Sequence, residues 1–275
     1  MSGPAFQVMG VVNVTPDSFS DGGRYLAHRA AIDHGLAMIE QGAGIVDVGG
    51  ESTRPGAAAV SAAEELRRVV PVVEALAGRG TEVSIDTSKA AVAGAALAAG
   101  ATLVNDVTAL RADPDLAALT AEHGARCCLM HMRGTPRTMQ DDPRYDDVVA
   151  DVKAFLEERL AFAVDEGIAE DRILLDPGIG FGKTVEHNLA LLRRLDEIAA
   201  LGRPVVVGTS RKSFLGALTG RAVGDRLAGS IASTVLALER GARVFRVHDV
   251  APAVDALTVA AALCGAGAPH APALV

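Results

Sequence analysis

The chain is poor in aromatic residues. Phe, Trp and Tyr make up 3% of its 275 residues, with no tryptophan and two tyrosines. Positive charge is also scarce: 26 Lys and Arg stand against 34 Asp and Glu, for a net charge of -8. An acidic chain with few stacking rings is a poor prospect for nucleic acid or an anionic membrane, and neither is expected as a partner. Any anionic ligand must be met by locally clustered Arg and Lys. Three cysteines do not make a disulfide framework. Cys127 and Cys128 are adjacent on a predicted strand, so they face opposite ways, and Cys264 is remote in sequence. This usage fits a reducing, cytoplasmic setting. The opening MSGPAFQVMG has no basic flank followed by an apolar core, as a signal peptide would. The longest low-polarity run, 90–104, contains Gly94 and Gly100 and falls short of the ~20 residues a membrane helix needs.

Several catalytic signatures are missing too. There is no H-x-H on the first predicted strand and no H-E-x-x-H, which disfavours a zinc hydrolase. Ser210 lacks a G-x-S-x-G setting and no cysteine ends a strand, so no covalent nucleophile is evident. The glycine-rich stretch ILLDPGIGFGK is neither of the common phosphate motifs. A P-loop ending in Gly182–Lys183–Thr184 needs glycine where Pro177 stands, and the alternating Gly178, Gly180 and Gly182 do not have dinucleotide spacing.

What is present is repetition. Apolar runs read as strands at 7–14, 45–48, 82–85, 102–104, 126–130, 173–175, 204–207 and 243–247. Helical patterns follow each, at 25–41, from a Ser61/Glu64 capping signal to 78, at 89–99, 114–123, 145–166, 185–200, 213–240 (broken near Gly220–Gly224) and 252–263. Fully apolar strands alternating with helices predict a parallel sheet buried on both faces. Eight such units in a chain 49% hydrophobic predict a single-domain α/β (β/α)8 TIM barrel over about 7–264, with the Ala/Pro-rich 265–275 as a frayed tail. An open doubly wound sheet is the competing architecture.

Barrel active sites lie at the carboxyl ends of the strands. Here those ends carry Asn13, Asp47, Asp86, Asn105, His131, Asp176, the Ser210–Arg211–Lys212 run, and Arg246 with His248. One polar residue at nearly every strand end predicts a shared pocket, because buried polar groups need partners. Asp86, Asn105 and Asp176 suit a flat ligand rich in N–H donors, such as a 2-aminopyrimidinone, which a carboxylate can take bidentately. Lys212 and Arg246 supply the opposite charge, and the planar guanidinium of Arg246 can stack on a heterocycle. Arg54, in a glycine-flanked loop, can meet a phosphate. Asn13 beside a phosphate suits Mg2+, which often takes one protein ligand. Purely structural roles are expected for Asp47 and Asp106, as partners of backbone or neighbouring side chains. His131 reads as a packed histidine, Arg211 as a surface residue, Lys183 as solvated in its loop, and Met130 as core filler or pocket wall.

These stretches together resemble a known family. NVTPDSFSDGG, DVGGESTRPGA, SIDTSKA, VNDV, LMHMRGTPRTMQ, LDPGIGFGKT, GTSRKSFLG and RVHDV, in this order across about 7–260, are similar to the dihydropteroate synthases. The resemblance implies transfer of a dihydropterin-methyl group from its diphosphate ester to 4-aminobenzoate in folate synthesis, with Mg2+ as cofactor, a homodimer, and sulfonamides as competitors. It places Asp86, Asn105, Asp176, Lys212 and Arg246 at the pterin. Asn13 (through Mg2+), Thr53, Arg54, Arg246 and His248 fall at the diphosphate. Phe19, Pro55, Phe181, Lys212 and Ser213 frame the 4-aminobenzoate, and Asp21 lies near a cationic intermediate. Asp21, Arg54, Lys212, Arg246 and His248 are the implied catalytic set. Two other activities are compatible with a pterin-binding barrel: a pterin-dependent methyltransferase, which has no need of the diphosphate residues, and a non-catalytic paralogue.

Overall fold

The computed structural model describes residues 5–15, 23–53 and 56–264. Its eight strands pair in chain order, all parallel, and the first closes on the last. They are β1 (Gln7–Asn13), β2 (Ile45–Gly49), β3 (Glu82–Asp86), β4 (Leu103–Asp106), β5 (Arg126–Met130), β6 (Ile173–Asp176), β7 (Val205–Val207) and β8 (Ala242–Val247). Around them run α1 (Gly23–Glu40), α2 (Ala62–Leu76), α3 (Ala90–Ala98), α4 (Leu116–Glu122), α5 (Val148–Asp165), α6 (Val185–Arg193), α7 (Leu195–Ala199), α8 (Ser213–Thr219), α9 (Leu227–Glu239) and α10 (Val250–Leu263). This is the expected TIM barrel. No described helix is long and apolar enough to cross a membrane. The 265–275 tail, read as frayed, lies outside the described residues.

The apolar strands serve two cores because side chains alternate along a strand. Outward residues such as Val12, Val48, Ile85, Val104, Leu129, Leu175 and Phe245 pack beneath the helices. Inward residues Met9, Ile45, Leu103, Cys128, Leu174, Val206 and Val244 form a separate apolar plug inside the barrel. Cys127 and Cys128 fall one in each core, as their adjacency requires. On β3 the inward place beside Leu103 is taken by buried Ser84.

The helices follow local signals. Ser61 caps α2, its Oγ accepting from Glu64 N–H at 3.3 Å, and Val69, Val72, Val73 and Leu76 form the buried stripe. α5 starts at Val148, three residues later than the pattern predicts, because Asp147 Oδ1 accepts from the N–H groups of Val149 (2.9 Å) and Ala150 (3.2 Å). The helix expected over 185–200 is two helices that meet at Arg194, whose guanidinium reaches Asp147 and Glu197. The break foreseen near Gly220 is present: that glycine ends α8 at φ 70°. α10 begins two residues before Pro252, which then lies in the first turn, where a missing N–H breaks no helical bond.

Candidate active site

Two residues beyond the apolar plug, the strand period returns side chains to the barrel axis, and there they turn polar. β2, β3, β4, β6 and β8 present Asp47, Asp86, Asn105, Asp176 and Arg246 at this level, with Met130 from β5. Arg246 joins three strands. Its Nε donates to Asp47 Oδ2 at 2.7 Å and its Nη2 donates to Asp86 Oδ2 at 2.7 Å. Asn105 Nδ2 donates to the same Asp47 oxygen at 3.0 Å. Asp47 is therefore bonded to its neighbours, as expected. Those neighbours are the pocket itself, so this carboxylate orients Arg246 and Asn105 from below. Its Oδ1 is buried without a partner.

Burial sets the protonation chemistry. Desolvation pushes Asp86 up to about 7; Arg246 pulls it back only in part, and the nearby Asp47 raises it further. Asp176 is also raised by burial, against the pull of Lys212 and the Gly178 N–H, which donates to its Oδ1 at 2.7 Å. Burial lowers Lys212 to about 8, partly offset by Asp176. Burial opposes the charge on Arg246, yet facing Asp47 and Asp86 holds it above its usual range. The pocket therefore keeps one firm cation and two buried carboxyls that ionise with difficulty.

The loop after β6 supplies the second wall. Lys212 Nζ donates to the Ile179 carbonyl and sits 4.8 Å from the centre of the Phe181 ring. Phe181 in turn packs on Val107, Met130, Met132 and Met139, so Met130 is a wall of the pocket as well as filler. Gly178 cannot be anything else: its φ is 66°, and a Cβ there would lie 1.9 Å from the His131 carbonyl oxygen. Lys183 corrects an expectation. Read as solvated, it is 3% exposed, and its Nζ contacts His131 Nδ1 at 2.9 Å and donates to the Phe181 carbonyl at 3.0 Å. Burial, and after it this neighbouring amine, drive His131 down to about 2, so its imidazole is neutral. His131 packs edge-on to Phe155 at 4.9 Å, as a core histidine should.

The loop after β7 positions the last members. His248 lies just past β8; its N–H donates to Ser210 Oγ at 3.2 Å and its Nδ1 sits 3.1 Å from the same oxygen. Arg211 is half-exposed yet clasped to Asp249 through two bonds of 3.0 and 2.5 Å. Its backbone is left-handed, φ 58°, with its N–H held by Ser230 Oγ at 3.0 Å. This strained residue precedes Lys212 and turns the chain so that Lys212 faces the Gly180 loop.

Across the mouth, Asn13 ends β1 beside Gly49, which pairs in turn with Asp86. Thr53 and Asp86 line one cavity of about 400 Å³ with Glu51, Thr108, Arg111 and Met132. Ser213 is exposed at the start of α8, next to Lys212. Phe19, Asp21, Arg54 and Pro55 lie outside the described residues. Asp106 is structural, as expected, accepting from the N–H groups of Thr108 and Leu110 at 2.8 and 2.7 Å.

The chain matches the pterin binding enzyme family over residues 9–248. It is 49% identical over 260 residues to the dihydropteroate synthase of Escherichia coli K12, covering 94% of this chain and 92% of that one. The chain belongs to the dihydropteroate synthase family. Within the family, it superposes on the dihydropteroate synthase of Xanthomonas albilineans with 4-aminobenzoic acid at a TM-score of 0.89 and 51% identity, covering 95% of this chain and 93% of that one. The Yersinia pestis dihydropteroate synthase with a sulfonamide drug complex gives 0.89 at 47%, covering 96% and 95%. What went unread in the sequence is the supporting layer of this family member: Asp47 as an orienting carboxylate, Ser210 under His248, and the Lys183–His131 pair. Asp47, His131 and Ser210 each had a signal, a polar residue at a strand end, but Lys183 had none.

Proposed function

We propose that this chain joins the 7,8-dihydropterin-6-ylmethyl group of 6-hydroxymethyl-7,8-dihydropterin diphosphate to 4-aminobenzoate, releasing 7,8-dihydropteroate and pyrophosphate in folate synthesis. The observation that carries the reading is the inward ring of Asp86, Asn105, Asp176 and Arg246, flanked by Lys212, on a barrel about half identical to dihydropteroate synthases. Asp176, Asn105 and Asp86 accept the N–H groups of the pterin edge, and Lys212 donates to its acceptors. Arg246 lies along the ring plane. The buried setting makes each of these bonds stronger than it would be in water.

The reaction breaks the C–O bond to the diphosphate and forms a C–N bond to the arylamine, which then loses one proton. The electron-rich dihydropterin shares positive charge with the departing methylene, so the step is dissociative, and stabilising that cation is the role assigned to Asp21. Thr53, Arg54, Arg246 and His248 take the charge gathering on the leaving oxygens. An arylamine is neutral at pH 7 and attacks without a strong base, which accounts for the missing catalytic dyad. Phe19, Pro55, Phe181, Lys212 and Ser213 frame the 4-aminobenzoate, and sulfonamides compete for that side.

Among the described residues no three His, Cys, Asp or Glu side chains stand together as a metal cage. The donor set instead suits Mg2+ held by the Asn13 carboxamide, diphosphate oxygens and water. When bound there, Mg2+ supplies charge neutralisation to the leaving group. A homodimer in the cytoplasm completes the reading. Exposed Leu218, Val223, Leu227, Leu236, Val259 and Leu263 on the outer helices and their links support the pairing of two copies. Cys127 and Cys128, buried as free thiols, suit a reducing compartment.

The test is one assay with purified protein, pterin diphosphate, 4-aminobenzoate and Mg2+, following both products. Formation of dihydropteroate dependent on all three additions is the expected outcome. Pterin binding with no product under any combination would overturn the reading, in favour of a non-catalytic pterin binder or a methyltransferase.

A further inference from the structure

The loop after β2 carries Thr53 and Arg54, and its base is held by charges outside the set assigned so far. Glu65, in the first turn of α2, is fully buried. Its Oε2 accepts from Lys89 Nζ at 2.5 Å, while Oε1 has no partner. Lys89, the residue before α3, also donates to Glu51 Oε2. From α2, Arg68 Nη1 donates to the Gly50 carbonyl at 2.8 Å. Gly50 lies flat on that helix: a Cβ there would sit 2.8 Å from Val69 Cγ1 and 3.0 Å from Glu65 Cγ. At the far side of the loop, Gly56 N–H donates to the Pro136 carbonyl at 3.3 Å. The segment is thus fastened at Gly50 and Glu51 and again at Gly56, with Thr53 between, and Glu51, Glu65 and Thr53 line the same cavity as Asp86.

Two effects follow from one amine. It ties Glu51, two residues before Thr53, to the buried floor. It also offsets two carboxylates beside a mouth that must admit a multiply charged anion. We infer that Lys89, acting through Glu51 and Glu65, is a positioning residue for the diphosphate end of the substrate. The inference rests on the transferase reading above and goes beyond it, since neither the strand ends nor the family motifs assign these side chains to a ligand. None of the three touches the reacting atoms in this role; they aim the loop that does.

The test uses the full chain with Mg2+ and three variants: Lys89→Met, Lys89→Arg and Glu51→Gln. The readouts are KM for pterin diphosphate, KM for 4-aminobenzoate, kcat, affinity for the diphosphate-free 6-hydroxymethyl pterin, and melting temperature. Lys89→Met should raise KM for pterin diphosphate about tenfold, the weight of one charge-assisted hydrogen bond, and more steeply at low salt. Affinity for the diphosphate-free pterin should stay within about twofold, and Lys89→Arg should restore most of the loss. Glu51→Gln should raise the same KM about threefold at an unchanged melting temperature, even though it removes a negative charge. The sign of that last effect decides. An unchanged or lowered KM in Glu51→Gln overturns the positioning role, as does equal loss of both pterins in Lys89→Met. If Lys89→Met does not fold, Glu51→Gln carries the test. Wild-type protein that makes no dihydropteroate refutes the transferase reading; active wild type with indistinguishable variants refutes only the role of Lys89.

Discussion

Asp86 is a carboxylate that the fold tolerates for the sake of its ligand, and replacing it by asparagine should ruin the site while the variant's stability relative to wild type gains as pH rises. Its folded pKa is raised to about 7 by burial and by Asp47, with Arg246 opposing. An unfolded aspartate titrates near ~3.9. The folded chain therefore binds more protons than the unfolded chain between those two values, and stability falls as pH rises through that window. Linkage for such a group costs about 1–2 kcal/mol at pH 5 and about 4 kcal/mol at pH 8. An asparagine side chain does not titrate, so the stability of Asp86→Asn relative to wild type should improve by about 2–3 kcal/mol between pH 5 and pH 8. This difference is independent of any fixed cost of losing the charged bond to Arg246, which the same subtraction removes. Urea unfolding of both proteins at the two pH values measures it, and pterin binding by the variant should be lost at both. A relative stability that does not change with pH, or that worsens toward pH 8, would refute the claim that Asp86 sits ionised at a cost.

Gly178→Ala forces a left-handed residue and a methyl group onto the His131 carbonyl, so a loss of several kcal/mol in stability or an insoluble product is expected, read by thermal melting. Leu174→Ala opens a cavity in the barrel plug and should cost ~2–5 kcal/mol in chemical denaturation; a smaller loss would mean the plug collapses around it. Asp21→Ala should lower turnover while pterin diphosphate binding survives in calorimetry, and wild-type turnover would end its proposed role.

The architecture was legible because its causes are local. Short apolar runs, each followed by a helical stripe, leave few arrangements other than a barrel. The inward ring was legible for the same reason: a polar residue ending a strand that is otherwise apolar has to face something. The supporting layer was hidden because it depends on which distant segments meet. Nothing near Lys183 in the sequence says that His131, fifty-two residues earlier, will be its partner. Asp47 reads like any buried acid until the barrel closes and brings Asn105 and Arg246 to the same oxygen. Helix boundaries slipped where a single cap decided them, as Asp147 did for α5.

The bond between Asp47 and Arg246 joins residues 199 apart in the chain, across the seam where β8 meets β1. During synthesis the acids arrive first. Asp47, Asp86 and Asp176 are all made before their shared cation, and a chain lacking β8 holds them with no guanidinium among them. Seven strands without the eighth also leave two open sheet edges. Ring closure and the pairing of Asp47 and Asp86 with Arg246 are thus one event, and it comes last, after the loop entropy of most of the chain has been spent. A partly made barrel is consequently no weaker version of the enzyme. It is an unclosed sheet with a negative mouth, and pterin binding should appear in one step, only when β8 is in place.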